Sequence, residues 1–232
     1  MSEAKAALVS VVMPTLDEAA NMRMRAREIA RQDGPCEWIV ADGCSSDDTV
    51  ALATSFGART IACPRGRGEQ LDAGARVASG EILLFLHADT ALPDGAFAAM
   101  RRALRDPQIV GGNFRLRFTG EGFFTRSLAW CYANQQRVFG AFFGDSAIFV
   151  RRVVFDELDG FGGMPLMEDY AFVRRLRRRG RTRRLDLAVT TSSRRFERNP
   201  FRALALWVSI MVLYYAGVPP VRLARMYRPH RD

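Results

Sequence analysis

Strand-length apolar runs alternate with longer helix-like segments through the first half of this chain of 232 residues, and no other feature constrains its fold as much. The predicted strands are Leu8–Met13, Trp38–Ala41, Arg59–Ala62 and Glu81–Leu86, and the predicted helices are Ala19–Gln32, Asp47–Phe56 and Gln70–Ala78. This order is typical of βαβ units and a parallel sheet. We therefore expect an α/β fold of the nucleotide-binding type, with a mostly parallel central sheet flanked by helices.

The pattern changes in the second half of the chain. Pro93 opens a predicted helix that closes near Asp106, and residues 111–118 alternate between apolar and polar side chains as a half-buried strand does. The composition shifts again near Asn199, where a long apolar helix begins. Since the length suits one large domain, we predict an α/β domain over residues 1–198 and an apolar helix with a basic tail over residues 199–232.

Lysine and arginine exceed the acidic residues by nine. Such a balance favours anionic partners, which include nucleic acid, phosphorylated small molecules and anionic membranes, and charge alone does not choose among them.

The cysteines lack CxxC pairs and the short spacings of a metal site, so no disulfide framework is predicted for Cys36, Cys44, Cys63 and Cys131. The first residues also lack the pattern of a secretory signal peptide, and we expect a cytoplasmic protein.

Polar residues follow each predicted strand of the first half. They are Pro14–Glu18, Asp42–Thr49, Pro64–Gly68 and His87–Thr90. Because ligands of open α/β sheets bind beyond the carboxyl ends of the strands, we expect these segments to share one crevice. Acids there can accept hydrogen bonds from a nucleoside, a Gly/Arg loop can hold phosphate, and an aspartate can bind a hard cation. Together they predict a site for a nucleoside diphosphate.

Four segments resemble, in order, glycosyltransferase family 2, the GT-A family of inverting transferases: VVMPTLDEA, VADGCSSDDT, GEILLFLHADT and GGMPLMEDYAF. An ordered set of segments is far more specific than one short motif. The chain looks most like small bacterial members with an HAD version of the DxD motif, here His87-Ala88-Asp89. The resemblance implies a single GT-A-type, Rossmann-like domain that transfers a sugar, with inversion, from a nucleoside-diphosphate sugar to an acceptor hydroxyl.

The resemblance also implies roles for individual residues. The donor nucleotide would contact Pro14, Thr15, Asp17, Glu18, Asp42 and His87. Asp89 would hold Mn²⁺ or Mg²⁺ on the diphosphate, Asp169 beside Glu168 would be the catalytic base, and Asp145 would face the acceptor. Inverting transfer requires a base on the acceptor hydroxyl and neutralisation of the leaving diphosphate, which separated acids can provide. UDP is expected in preference to GDP, and the motifs do not name the sugar or the acceptor.

Several of these residues have a structural alternative. A lone aspartate at a strand end often caps the next helix, and this is the preferred interpretation for Asp47. Arg65 and Arg195 are either solvated surface charges or phosphate contacts, and we predict phosphate contacts. The arginine-rich run from Arg174 to Arg184 has helical spacing, so we interpret it as a solvated helix face without a catalytic role.

The C-terminal apolar helix has two interpretations. Its uncharged segment Ala203–Val218 has sixteen residues, fewer than the roughly 20 expected of a transmembrane helix. Trp207, Tyr214 and flanking arginines suit a helix lying at a lipid interface. A helix packed on the domain or on a second subunit would look the same. The sequence therefore leaves open peripheral association with the inner face of the cytoplasmic membrane, which would suit a lipid-linked acceptor.

Other functions fit the sequence less well. A nucleotidyltransferase is the main alternative enzyme, but its Gly-rich phosphate loop would be expected directly after the first strand, where Pro14–Glu18 lies. A basic nucleotide- or nucleic-acid-binding protein would not need acids at several strand ends, and we predict no nucleic-acid partner. A NAD-dependent dehydrogenase would carry GxGxxG after the first strand, and that motif is absent there.

Overall fold

The computed structural model describes residues 6–120, 142–193 and 200–226, with side chains from residue 205 onward in the last range. Its strands are β1 (Val9–Thr15), β2 (Cys36–Asp42), β3 (Arg59–Ala62), β4 (Ile82–Phe85), β5 (Thr90–Ala91), β6 (Ile109–Phe118), β7 (Ile148–Arg151) and β8 (Arg181–Thr191). Its helices are α1 (Ala19–Ala30), α2 (Thr49–Ser55), α3 (Arg67–Val77), α4 (Ala96–Ala103), α5 (Arg152–Glu157), α6 (Glu168–Arg179), α7 (Pro200–Tyr215) and α8 (Pro220–Met226), with a 3₁₀ turn at Gly144–Ser146.

The eight strands form one sheet in the order β3-β2-β1-β4-β7-β6-β8-β5. The four strands of the first half run parallel, as predicted, and β7 is antiparallel to both β4 and β6. The strand order reverses direction between β1 and β4. Such a switch point opens a crevice beyond the carboxyl ends of the two strands, which is where ligands of open α/β sheets bind.

The two faces of the sheet are covered by different helices. Alternate β1 residues point to opposite faces, so that Val11 lies in one core cluster and Val12 in the other. Helices α1, α2 and α4 cover the first face, and α3, α5 and α6 cover the second. The expected α/β domain is therefore confirmed, with its strands buried on both faces as parallel sheets require.

Several element boundaries differ from the sequence prediction, among them the start of α3, which lies at Arg67 rather than at Gln70. Strands β1 and β2 run on to Thr15 and Asp42, which are paired in register, so these two residues belong to strand ends rather than to loops. Pro14 is tolerated inside β1 because the β4 partner has already ended opposite Val12, and its missing N–H faces no strand there. Helix α4 begins after Gly95, which has a left-handed φ of 74°, and not at Pro93.

Helices α7 and α8 pack against the start of α6. Ile210, Met211 and Leu223 form a third apolar cluster with Met167 and Tyr170 of that region. None of the helices in the described ranges is long and apolar enough to cross a membrane. The division between residues 1–198 and 199–232 remains a prediction.

Candidate active site

The ends of β1 and β2 are joined by a buried carboxylate. Asp42 accepts hydrogen bonds from the Thr15 hydroxyl at 2.9 Å and from the Ser45 backbone N–H at 2.8 Å, and the Ser45 hydroxyl donates to it as well. Only 5% of Asp42 is exposed. A carboxylate has about four acceptor sites, so three internal bonds fix its orientation and leave one site for a ligand.

The loops that follow these two strands hold each other. Asp17, at a left-handed φ of 55°, accepts hydrogen bonds from the Ser46 backbone N–H at 2.7 Å and from the Ser46 hydroxyl at 3.0 Å. These bonds lower the pKa of the exposed Asp17 carboxyl, with the Ser46 N–H as the largest cause. Asp47 accepts from the N–H of Thr49 at 3.0 Å and from that of Ala19 at 3.1 Å. The N-cap of α2 is Asp48, so Asp47 precedes the expected cap position and instead links the starts of α1 and α2. The Glu18 N–H donates to Thr49 Oγ1 at 2.8 Å and adds a further link between the two loops.

The buried side chain of Gln70 on α3 stabilises the ends of β1 and β2. Its side-chain amide donates to the backbone carbonyls of Thr15 and Ala41, both at 2.8 Å, and the residue is buried on α3. It thereby ties the ends of β1 and β2 together. Sequence reasoning missed Gln70, although a glutamine beside the apolar Leu71 and Ala75 on the inner face of α3 is an unusual core residue that could have indicated it.

Arg65 and Arg67 follow β3 and contact opposite sides of the crevice. Arg65 donates from Nε to the Gly43 carbonyl at 3.0 Å and from Nη2 to the Cys44 carbonyl at 3.3 Å, which places its guanidinium beside the β2 loop. Arg67 reaches the opposite side, where its Nη1 lies 3.5 Å from Glu168 Oε1. Arg65 keeps unused N–H groups for a phosphate. Arg195 lies outside the described residues.

Asp89 lies in an exposed turn between β4 and β5. The Thr90 hydroxyl donates to it at 3.4 Å, and Arg25 of α1 interacts with it electrostatically. Arg25 is buried, pairs with Glu28 at 2.8 Å, and leaves its Nε without a partner within the described ranges. Burial lowers the pKa of Arg25, and the two carboxylates oppose that shift. The burial of Arg25 could have been predicted from its spacing, because it follows Met22 by three residues and precedes Ile29 by four and therefore lies on the same apolar helix face.

A second group of side chains meets around Gly144. His87 Nδ1 lies 3.2 Å from Asp145 Oδ1, and the Gly144 backbone N–H donates to Asp169 Oδ2 at 2.7 Å. A Cβ added to Gly144 would lie 2.9 Å from His87 Nε2 and 3.4 Å from Asp169 Oδ2. The imidazole and the carboxylate therefore flank the same glycine. The fold thus brings together His87, Gly144 and Asp169, which are far apart in sequence.

Asp169 and Glu168 begin helix α6 in a buried position. Asp169 Oδ1 accepts from the Tyr170 N–H at 2.6 Å, so both of its oxygens are held by backbone donors. Glu168 is 2% exposed and its Oε1 has no hydrogen bond to the described residues. Burial raises the pKa of Glu168, while Arg67 opposes that rise and Asp169 adds to it. Two neighbouring acids thus have different surroundings, which is common where acid–base chemistry occurs.

The donor atoms at the crevice fit a cation that is shared with a ligand rather than one enclosed by protein. Within the described residues, no group of three or more His, Cys, Asp or Glu side chains could hold a metal ion. Mg²⁺ commonly takes one or two carboxylates and completes its shell with phosphate oxygens and water. The exposed carboxylate of Asp89 suits that mode. His87 suits it less, because carboxylate oxygen is the preferred ligand of Mg²⁺ and Mn²⁺.

Comparisons with known proteins agree with this architecture. The mannosyltransferase of Pyrobaculum calidifontis, solved with GDP-mannose and Mn²⁺, has a TM-score of 0.64 at 18% identity and covers 97% of this chain and 69% of its own. Glucosyl-3-phosphoglycerate synthase of Mycobacterium tuberculosis, solved with Mn²⁺, UDP and glucosyl-3-phosphoglycerate, has a TM-score of 0.62 at 22% identity, with coverages of 92% and 81%. At these identities the likeness concerns the fold.

Sequence comparisons identify the family. A PGL/p-HBAD biosynthesis glycosyltransferase of Mycobacterium bovis is 36% identical over 95 residues, which are 38% of this chain and 37% of the relative. The chain spans only about a third of the length of the curated relatives it matches. The sequence profile of glycosyl transferase family 2 matches residues 10–159, from β1 through α5. This match covers more than half of the chain, which therefore belongs to glycosyl transferase family 2.

Proposed function

We propose that this protein transfers a sugar, with inversion, from a nucleoside-diphosphate sugar to an acceptor hydroxyl, with UDP as the preferred nucleotide. The observation that carries the proposal is the presence of two separate acid groups at one sheet edge. Asp17 and Asp42 lie at the ends of β1 and β2, and Asp169 lies across the β1/β4 switch point. One group suits the donor nucleoside and the other suits the acceptor hydroxyl.

The donor nucleoside would lie over the ends of β1 and β2. Asp42 has one acceptor site left for an N–H or O–H of the base or ribose, and its internal hydrogen bonds prevent it from turning away. Pro14, Thr15 and Glu18 would form the surrounding wall. Arg65, already oriented by two backbone carbonyls, would donate to a phosphate oxygen, because a guanidinium has five N–H donors in a fixed fork.

The diphosphate would lie beside the turn that carries Asp89. We propose that Asp89 holds Mn²⁺ or Mg²⁺ there, and the bound ion would neutralise negative charge on the leaving diphosphate. Arg25 would stabilise the turn that carries Asp89 through the electrostatic attraction between the two side chains. His87 would contribute to the wall between the donor and acceptor halves.

Asp169 is the proposed base. It would accept the proton of the acceptor hydroxyl while that oxygen bonds to the anomeric carbon, and the bond from this carbon to the diphosphate oxygen breaks with its electron pair leaving on the nucleoside diphosphate. Because both oxygens of Asp169 accept backbone N–H groups, the carboxylate is held in one orientation. Such positioning is a main contribution of a protein to group transfer. Glu168 would stay beside it, partly neutralised by Arg67, and Asp145 would face the acceptor.

A binding screen tests the donor assignment. Thermal unfolding would be followed with UDP, GDP, UDP-glucose and GDP-mannose, each with and without Mn²⁺. We expect stabilisation by a nucleoside diphosphate that grows with Mn²⁺ and is lost in Asp42→Ala. The matched control is Asp156→Ala, an exposed acid on α5. If no nucleotide stabilises the protein, or if Asp42→Ala binds as the natural chain does, the proposal fails.

We also propose that α7 and α8 bind an anionic membrane surface peripherally, at the inner face of the cytoplasmic membrane. Val208, Val212 and Tyr215 recur at intervals of four and three residues, as positions on one helix face do, and are 45%, 61% and 59% exposed. Arg222 and Arg225 are exposed on the adjoining α8 and would meet anionic headgroups. A lipid-linked acceptor would suit such a position.

Liposome co-sedimentation tests this proposal. Binding should require phosphatidylglycerol and should weaken, without vanishing, at high salt, because screening removes the arginine contribution and leaves the apolar one. Val208→Asp/Val212→Asp should abolish binding. Val153→Asp, at an equally exposed valine on α5, should bind normally. Equal binding of the two variants, or no binding of the natural chain, would contradict the proposal.

A further inference from the structure

An open cleft lies between α6 and α7, away from the residues discussed above. Its volume is about 380 Å³, near the lower end of the roughly 300–1,000 Å³ typical of ligand pockets. The side chains that matter for its chemistry are Arg174, Arg175, Arg178, Tyr214 and Met164. None of its lining residues in the described part of the chain is acidic. The cleft is therefore strongly positive.

Two of the three arginines have donors to offer. Arg175 is engaged, since it donates to the carbonyls of Leu158 at 2.7 Å and Gly160 at 2.6 Å. Arg174 and Arg178, by contrast, make no hydrogen bond within the part of the chain that the structure describes. They are four residues apart on α6, where like charges repel each other. An anion between them would remove that repulsion.

The walls of the cleft are fixed before any ligand arrives. Asp72 of α3 accepts hydrogen bonds from the N–H groups of Phe161 at 2.8 Å and Gly162 at 3.1 Å, which secures the turn before α6. Tyr214 stands perpendicular to the ring of Tyr170, with centroids 5.6 Å apart. A preformed pocket loses little entropy when a ligand binds. Arg174 and Arg178 themselves are exposed, as the sequence predicts for this helix face, and the fixed part of the cleft wall lies beside them.

We propose that the cleft is a binding subsite for a phosphate group. The guanidinium groups of Arg174 and Arg178 would bind it from one side, and the hydroxyl of Tyr214 would donate from the other. A phosphate dianion matches two guanidinium charges and offers oxygens to several donors at once, whereas a carboxylate has only two oxygens. The structure thus gives the arginines of α6 a ligand-binding role.

The cleft and the proposed base Asp169 lie on different faces of α6. Arg174 and Arg178 follow Asp169 by five and nine residues, which at 3.6 residues per turn places them roughly 140° and 180° around the helix from it. Asp169 faces Gly144, whereas Arg174 and Arg178 are exposed. The phosphate subsite is therefore separate from the proposed site of sugar transfer, and phosphate binding does not rest on the proposed function.

Calorimetry with inorganic phosphate, without nucleotide or metal, tests the subsite. The double variant Arg174→Gln/Arg178→Gln should bind phosphate about tenfold more weakly or worse, because two charge-assisted contacts are lost. The matched control is Arg23→Gln/Arg27→Gln, which removes the same charge with the same spacing from the exposed side of α1. It should bind as the natural chain does. Should the double variant not fold, Arg178→Glu alone must weaken binding.

Vesicles distinguish the two sources of phosphate. If vesicles of phosphatidylcholine and phosphatidic acid, whose headgroup is a phosphate monoester, bind the natural chain and lose binding to the double variant, the group is a lipid headgroup. If the double variant loses inorganic phosphate only, the group belongs to a soluble molecule. Undiminished phosphate binding by the double variant, or none by the natural chain, overturns the inference. UDP affinity with Mn²⁺, measured on the same proteins, reports on the proposed function separately.

Discussion

The substitution Gly144→Ala probes the contact between His87 and the turn that carries Gly144. The new methyl carbon would lie 2.9 Å from His87 Nε2 and 3.2 Å from its Cε1, inside normal contact distance. The imidazole cannot turn away freely, because its side chain is only 12% exposed and its Nδ1 is held by Asp145 at 3.2 Å. Overpacking of this kind costs about 1–3 kcal/mol in the free energy of unfolding.

A double-mutant cycle of Gly144→Ala and His87→Ala measures the energetic coupling between these two positions. His87→Ala removes the ring that the new methyl group would strike, so Gly144→Ala should cost far less in that background. Neighbours in direct contact typically show coupling energies of about 0.5–3 kcal/mol. Urea unfolding of the natural chain, both single variants and the double variant would measure the coupling. Additive costs, within about 0.5 kcal/mol, would show that His87 does not lie against Gly144.

Three further predictions concern the donor half and the buried acids. Asp89→Asn should abolish the Mn²⁺-dependent part of nucleoside diphosphate affinity, since an amide carries no charge for the cation; unchanged metal-dependent binding in calorimetry would refute this. Arg25→Met should destabilise the fold by about 3–5 kcal/mol in urea unfolding, because the Glu28 carboxylate loses its ion pair and keeps the hydrogen bond from the Leu92 N–H, and Arg25→Met/Glu28→Gln should cost less. The pKa of Glu168 is higher in the folded protein than in the unfolded chain, where it has its ordinary value of 4.5, so protonated Glu168 favours the folded state. This stabilisation is fully present below pH 4.5 and is lost as the pH rises through the higher folded pKa. Glu168→Gln should therefore flatten that part of the pH–stability profile, and an unchanged profile would count against the burial argument.

Much of the arrangement at the ends of β1 and β2 could be predicted from sequence because it is built from local units. Each strand of the first half ends in the polar residues that the fold places at the crevice, so strand order alone brings Thr15, Asp17 and Asp42 close together. The alternation of apolar runs determined the helices between them. Only the boundaries shifted, and Pro14 shows why, since the tolerance of a proline in a strand depends on where the neighbouring strand stops.

The group of residues around Gly144 could not be predicted in the same way because its contacts are long-range. Nothing in the local sequence indicates that Gly144 lies between His87 and Asp169, or that Arg67 crosses the crevice to Glu168. The arginines of α6 show the same limitation. Their spacing predicts a helix face correctly as far as Arg179, but the predicted run extended to Arg184, and Arg181, Arg183 and Arg184 lie in β8. Only the packing of α7 reveals that Arg174 and Arg178 share a cleft with Tyr214. The roles assigned to individual site residues remain predictions.

The release of nucleoside diphosphate from a nucleotide sugar tests the proposed sugar transfer without a known acceptor, because water can take the place of the acceptor hydroxyl. The rate would be measured for UDP-glucose and GDP-mannose with Mn²⁺, on the natural chain and on Asp169→Asn. We expect release by the natural chain and a rate lower by about 10²- to 10⁴-fold in Asp169→Asn, whose affinity for the nucleotide should not change. Equal rates in the two proteins, with nucleotide affinity intact, would contradict the assignment of Asp169 as the base.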